Sequence, residues 1–143
     1  MRASFPIGEV ARQTGIKVPT IRFYEQIGLL PAVLRSAGNR RCYRASDVRR
    51  LVFIRHARQL GFEVSAIRTL LTFQDQPDSS CRQIDALVAD HLAAIDTKID
   101  RLVTLRRELR LILARCRGGR VAECRVIESI ATCEDDLPTR NSV

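Results

Sequence analysis

The chain has 143 residues, 45% hydrophobic and 28% charged, with only 7 Gly and 5 Pro; this globular composition fits one domain, or a small domain with a long appendage, and excludes most large enzymes and low-complexity chains. No run approaches ~20 apolar residues and the first residues lack the apolar core of a secretory leader, so no membrane span is expected and a cytoplasmic protein is. The formal charge of +8 divides into +9 over residues 1–70 and −1 over residues 71–143, an asymmetry that suggests one half facing a polyanion.

Ile7, Val10 and Ala11 share one face of a first helix that stops at Gly15, a residue suited to a helix C-terminus. A second helix starts near Pro19, which only a first turn tolerates; Ile21 and Ile27 are expected to be buried, and Thr20, Arg22 and Tyr24 to point outward. Two short helices joined by a Gly-containing turn are a helix-turn-helix candidate, whose second helix enters the major groove; the same pattern also describes two ordinary core helices. Leu29 to Tyr43, with Pro31, Gly38 and Asn39 between Arg35 and Arg40-Arg41, is expected to be a two-stranded ribbon, that is, an arginine-studded wing. A third helix is expected from about Ser46 as N-cap, burying Val48, Leu51, Val52 and Leu60, leaving Arg49, Arg50, Arg55 and Arg58 for solvent or phosphate, and stopping at Gly61. Phe62 to Phe73 is expected to form a fourth helix, and residues 74–80 a polar linker.

From Cys81 to Arg115 there is no Gly or Pro, and Val88, Leu92, Ile95, Ile99, Leu102, Leu105, Leu109 and Ile112 recur at steps of three and four. That is a coiled-coil seam with one register slip. A helix of ~35 residues is ~52 Å long, too long for a small domain to cover. With no turn to fold it back, the nearest partner is a second copy of the chain in a two-fold dimer.

Five cysteines in a reducing compartment invite reading for metal or redox chemistry. Cys81 and Cys116 stand at opposite ends of the long helix, ~50 Å apart within one chain. In an antiparallel two-fold coil, however, Cys81 of one chain would lie beside Cys116 of the other, giving two equivalent sites. Cys124 follows Cys116 across a loop whose Gly118 and Gly119 allow both sulfurs to reach one ion. The C-x7-C spacing equally suits two small buried hydrophobes. Arg82, Arg117, Arg120 and Arg125 flank these cysteines and favour thiolates. Cys42 is expected to pack in the wing, and Cys133 and Glu123 are accessory-ligand candidates.

Ile7-Gly8-Glu9-Val10-Ala11, Thr20-Ile21-Arg22-Phe23-Tyr24-Glu25-Gln26-Ile27-Gly28-Leu29-Leu30, Arg35-Ser36 with Arg41-Cys42-Tyr43, Phe53-Ile54-Arg55 and Leu60-Gly61-Phe62 resemble the MerR family of transcriptional activators over about residues 5 to 130. The resemblance implies a mainly α protein with a winged helix-turn-helix DNA-binding head, a long antiparallel coiled-coil dimerisation helix and a C-terminal metal-binding loop. On that plan residues 1–73 are the DNA-binding domain, 74–80 the linker, 81–115 the dimerisation helix, 116–130 the metal-binding loop and short helix, and 131–143 a flexible tail. Thr20, Arg22 and Tyr24 match DNA contacts of the recognition helix, Arg35 and Arg41 those of the wing, and Arg55 and Arg58 those near a second wing. Arg40 stands where the family usually has a wing aromatic. Cys81, Cys116 and Cys124 match the effector thiols of the soft-metal branch, in which a copper(I) sensor would carry Ser at position 81.

The function so implied is that of a homodimer, not an enzyme, seated on double-stranded promoter DNA and acting with RNA polymerase. It untwists the promoter and activates metal-resistance genes when a soft divalent ion binds, one per site and two sites per dimer. Three thiolates around a divalent ion leave a net charge of −1, which a partly buried site tolerates; a three-coordinate, all-thiolate site suits Hg, Cd or Pb better than Zn, which usually completes a tetrahedron, and Cd and Pb are placed ahead of Zn and Hg. The alternatives are a Cu(I)-responsive regulator of the same family and a thiol redox sensor. No His or carboxylate beside the cysteines is placed as the general base of a zinc enzyme.

Overall fold

A computed structural model describes residues 4–31, 33–116 and 118–132, with Glu123 described by its backbone alone. The chain divides into a unit ending at Ala89 and a unit beginning at Asp90.

In the first unit, β1 (Ser4–Pro6) runs straight into α1 (Ile7–Thr14). Gly15, at φ 71, closes α1 by donating its N–H to the carbonyl of Ala11 at 2.9 Å, a left-handed conformation that glycine adopts without a Cβ penalty. The buried Thr14 donates its hydroxyl to the Val10 carbonyl at 2.8 Å and accepts the Ile16 N–H at 3.2 Å, so this tight turn leaves no polar orphan. Then comes α2 (Val18–Gln26), with Pro19 in its first turn, where a missing N–H costs nothing. Its end is a Schellman turn: Gly28, at φ 81, bonds Glu25 and the Leu29 N–H reaches the Tyr24 carbonyl at 2.9 Å.

The wing is β2 (Leu34–Arg35) and β3 (Arg41–Arg44), turned through Ser36–Asn39, with Asn39 rather than Gly38 taking the positive φ of 60. The expected two-stranded ribbon is in fact a three-stranded antiparallel sheet in the order β1-β3-β2, with Phe5 opposite Tyr43 and Leu34 opposite Cys42. Three residues are too few for a period-two pattern to show, which hides β1 in the sequence.

Helix α3 (Ala45–Gln59) begins without a loop after β3. Its N-cap is Arg44, not the expected Ser46, because Asp47 reaches back to accept the Arg44 N–H at 2.8 Å. Leu51, Ile54 and Ala57 are buried, but Leu60, expected inside, is 67% exposed. It is the C-cap; Gly61 turns the chain and Phe62 enters the core instead, its N–H on the Ala57 carbonyl at 3.1 Å. Helix α4 (Val64–Gln74) buries Ile67 and Leu71. Val10, Ile21, Tyr43, Leu51, Ile54 and Ile67, all fully buried, draw α1 to α4 and β3 into one core, each such side chain contributing ~1.5–3 kcal/mol by burial.

The stretch after α4 is a set of turns, anchored where Arg50 Nη1 meets both carboxylate oxygens of Asp75 at 3.1 and 3.2 Å. The long helix α5 (Arg82–Arg115) runs 34 residues and starts one residue after Cys81, whose carbonyl accepts the Asp85 N–H. In the second unit, α5 buries no side chain. A turn of 3-10 helix (Val121–Glu123) and α6 (Arg125–Thr132) follow, α6 passing the expected boundary at residue 130 by two residues. Cys133, the side chain of Glu123, Arg117 and residues 133–143 lie outside what is described. Among the described residues no helix is long and apolar enough to cross a membrane.

Candidate functional site

The arginines of the basic half fall into two groups. Three of them reach backbone carbonyls: Arg55 Nη1 donates to the Thr14 carbonyl ending α1, Arg68 Nη2 to the Ile27 carbonyl capping α2, and Arg50 Nε to the Leu29 carbonyl just beyond the α2 turn, each at 2.7 Å. A cation on a helix C-terminal carbonyl satisfies an orphan acceptor and offsets the negative end of the dipole. Arg58 similarly donates to the Phe62 carbonyl at 2.9 Å, bracing the α3–α4 turn. The second group, Arg22 on α2, Arg35, Arg40 and Arg44 of the wing, and Arg49 on α3, is exposed.

On α2 the exposed residues are Pro19, Arg22, Phe23 and Gln26, one helical face by their spacing. Arg22 lies on it as expected, and Thr20 is half-buried at its margin. Tyr24 does not point outward: it follows Ile21 by three residues and is buried with it, 8% exposed. Phe23 takes the outer position at 48% exposure; the i, i+3 pairing of Ile21 with Tyr24 was the signal for this exchange. A helix face carrying a guanidinium and an aromatic edge, beside a basic hairpin, presents what base edges and phosphates bind.

Within the wing, Arg35 Nη1 donates to the Asn39 carbonyl at 3.1 Å and Arg40 is exposed at the turn. Arg41 is half-buried and donates through Nε to Glu25 Oε1 at 3.3 Å, while the Tyr43 hydroxyl donates to Glu25 Oε2 at 3.0 Å. The pairing joins β3 to α2. Burial, and then the Glu25 carboxylate, push the Tyr43 phenol up to about 12, with Arg41 and Arg22 pulling the other way. Glu25 was not expected as a functional residue, since nothing in its spacing from Arg41 tells that the wing folds back onto α2.

At the end of α5 the chain brings two of the three expected thiols together. Cys116 and Cys124 are half-buried and line a cavity of about 530 Å³ with Gly118, Gly119, Arg115, Arg120 and Arg125. Gly118 and Gly119 have φ of 76 and 113, the left-handed region in which the loop curls back. Cys124 precedes α6, and its thiol is lowered below the ordinary range by the backbone N–H groups of Ile127 and Val126 and by a hydrogen bond with Cys116, against the opposing effect of burial. Cys81 is exposed at the head of α5. Among the described residues no group of three or more His, Cys, Asp or Glu side chains gathers within the chain. Cys42 is half-buried on β3, and its thiol donates to the Arg40 carbonyl at 3.8 Å.

Residues 5–74 match the MerR HTH family regulatory protein pattern, and residues 48–112 match the MerR DNA-binding pattern. A probable heavy metal-dependent transcriptional regulator of Haemophilus influenzae is 36% identical over 124 residues, covering 87% of this chain and 97% of its own. Among solved structures, the transcription regulator PbrR691 from Ralstonia metallidurans CH34, in complex with lead(II), superposes with a TM-score of 0.79 at 38% identity, covering 88% of this chain and 98% of that one. The dual-function regulator MerR from Bacillus megaterium MB1, in complex with mercury(II), superposes at 0.64 with 31% identity, covering 89% and 99%.

Proposed function

The chain belongs to the MerR family of DNA-binding transcriptional regulators, and we propose that within it this protein is a homodimeric, metal-responsive activator of soft-metal resistance genes that works on promoter DNA together with RNA polymerase. The observation that carries the reading is the pairing of Cys116 with Cys124 in a glycine-turned loop at the end of α5. Thiolate donors without an imidazole in the loop suit a soft ion better than a hard one, and the relatives in complex with lead(II) and mercury(II) agree with that preference.

The proposed assembly is an antiparallel pairing of α5 with its copy, which covers Val88, Leu92, Ile99, Leu102, Leu105 and Leu109, all exposed in the single chain. It brings the partner's Cys81 to Cys116 and Cys124, for two three-thiolate sites per dimer. The domain plan of head, linker, dimerisation helix and metal loop is part of this proposal. Arg22 and Phe23 enter the major groove, with Thr20 at their edge; Arg35, Arg40 and the free nitrogens of Arg41 meet phosphates from the wing; Arg55 and Arg58 meet phosphates beside the second wing. A bound soft cation supplies a charge that three thiolates can share. The 116–124 loop, held to one arrangement by that sharing, favours one relative orientation of the two heads, a two-state coupling that underwinds the promoter.

The test is a titration of the reduced protein with Cd, Pb, Zn, Hg and Cu(I), reading thiolate absorption and promoter activation together. Cd or Pb should answer first, and Cys81→Ser should abolish the divalent response while leaving DNA binding intact. Mixing Cys81→Ser chains with Cys116→Ser chains should restore one site per heterodimer. A wild-type response to Cu(I) alone, or a full Cd and Pb response in Cys81→Ser, overturns the three-thiolate site.

A further inference from the structure

Helix α2 carries one carboxylate, Glu25, in the turn next to the residues that face DNA. A carboxylate there repels phosphate. Yet neither oxygen of Glu25 is idle: Oε1 receives Arg41 Nε at 3.3 Å and Oε2 receives the Tyr43 hydroxyl at 3.0 Å. Tyr43 is fully buried and its strand pairs on both sides, with Phe5 opposite on β1 and β2 on the other edge. The chain of contacts therefore runs from a rigid core residue, through the carboxylate, to a guanidinium whose side chain is still 34% exposed.

An arginine offers five N–H donors in a fixed plane, and Glu25 takes the one on Nε. The terminal nitrogens remain. Held from the Nε side, the guanidinium plane is fixed with its outer edge turned away from the carboxylate, the arrangement in which an arginine grips a phosphate by two parallel hydrogen bonds. We propose that Glu25 is a positioning residue for DNA binding: with Tyr43 as its post, it holds Arg41 by Nε and aims the terminal nitrogens at a backbone phosphate between the recognition helix and the wing. This rests on the reading of Arg41 as a phosphate contact. The loss of rotamer freedom is met during folding instead of on binding, which is how pre-organisation raises affinity.

The sign of the effect separates this role from its rivals. A carboxylate that merely repels DNA would, once neutralised, tighten binding and leave the number of phosphate contacts unchanged. One that merely braces the head would lower thermal stability and leave the salt dependence alone. A positioning carboxylate, once neutralised, weakens binding and removes a phosphate contact.

The experiment measures affinity against salt for the full-length dimer, on a duplex the protein itself selects from a random pool. Arg41→Ala should reduce the log–log slope by about 1.8, or ~0.9 for each subunit's lost phosphate. Glu25→Gln should give a similar reduction and bind at least about tenfold more weakly, despite removing a negative charge, since one charge-assisted hydrogen bond is weakened in each subunit and a single such bond is already on that scale. Tyr43→Phe, which keeps the ring in the core, should act in the same direction with smaller size, and it decides the matter if Glu25→Gln does not fold. An unchanged slope in Arg41→Ala overturns the phosphate contact and the proposal with it. A reduced slope in Arg41→Ala but wild-type slopes in Glu25→Gln and Tyr43→Phe overturns the positioning role alone.

Discussion

The units on either side of Ala89 solve different problems. In the first, apolar faces of the helices meet in one core, and Arg55 and Arg68 reach from the surface to backbone carbonyls at the termini of α1 and α2. In the second, no described side chain is buried, and Leu102 and Leu109 of α5 stand 63% and 62% exposed. A monomer rarely leaves so long an apolar row in water. The same helical period thus encodes stability in one unit and association in the other, and the difference is whether the chain supplies its own second surface.

The sharpest way to break this contrast is Leu102→Asp, which puts a charge in the middle of the seam where nothing can pair with it. Sedimentation should show a monomer, operator binding should vanish, and the head should keep its own melting transition. An intact dimer would mean that α5 is not the interface. Its counterpart is Ile54→Ala, a fully buried position in α3, which should lower the stability of the head in urea by ~2–5 kcal/mol. A cost well under that range would show that the two units do not differ as described.

A smaller pair separates the two groups of arginines. Arg22→Ala should cost ~1–3 kcal/mol against the chosen sequence and relax discrimination, as the loss of a base-edge contact does. Arg55→Ala should weaken all sequences alike, and it should also destabilise the head by ~1–3 kcal/mol, because it strands the Thr14 carbonyl that Arg55 now satisfies at 2.7 Å. A normal melting temperature in Arg55→Ala would assign that side chain to DNA alone.

Local chemistry made much of this legible in the sequence. Gly15, Gly28 and Gly61 mark helix ends because each takes a positive φ, and the seam of α5 follows from spacing that no Gly or Pro interrupts. What did not show depends on contacts far along the chain. Strand β1 owes its existence to β3 some forty residues later, and the tie of Arg55 to Thr14 crosses 41 residues. Tyr24 and Leu60 failed differently: a tyrosine looks amphipathic and a leucine looks buried, but helix phase took Tyr24 inward and the Gly61 turn put Leu60 outside. For the thiols, the Gly118-Gly119 loop announced the pairing of Cys116 with Cys124, whereas the hydrogen bonds from Val126 and Ile127 required α6 to be in place.

The smallest effect is spectroscopic and reports on the head alone, since both tyrosines, Tyr24 and Tyr43, lie in it. Tyr43 is fully buried, donates to Glu25 at 3.0 Å, and is raised to about 12, by burial first and by the carboxylate second. The folded state thus favours the protonated phenol, whose unfolded value is ~10. Its contribution to stability is complete below about pH 10 and is lost as pH rises through about 12. In an ultraviolet difference titration, one phenol should therefore ionise only near the alkaline unfolding of the head. Glu25→Gln should bring that ionisation down, because a negative neighbour is gone, and Arg41→Ala should push it up, because the cation that favours phenolate is gone. Opposite shifts from the two variants would place both groups at the hydroxyl; an unmoved curve in both would leave burial as the sole cause and dissolve the link between wing and recognition helix.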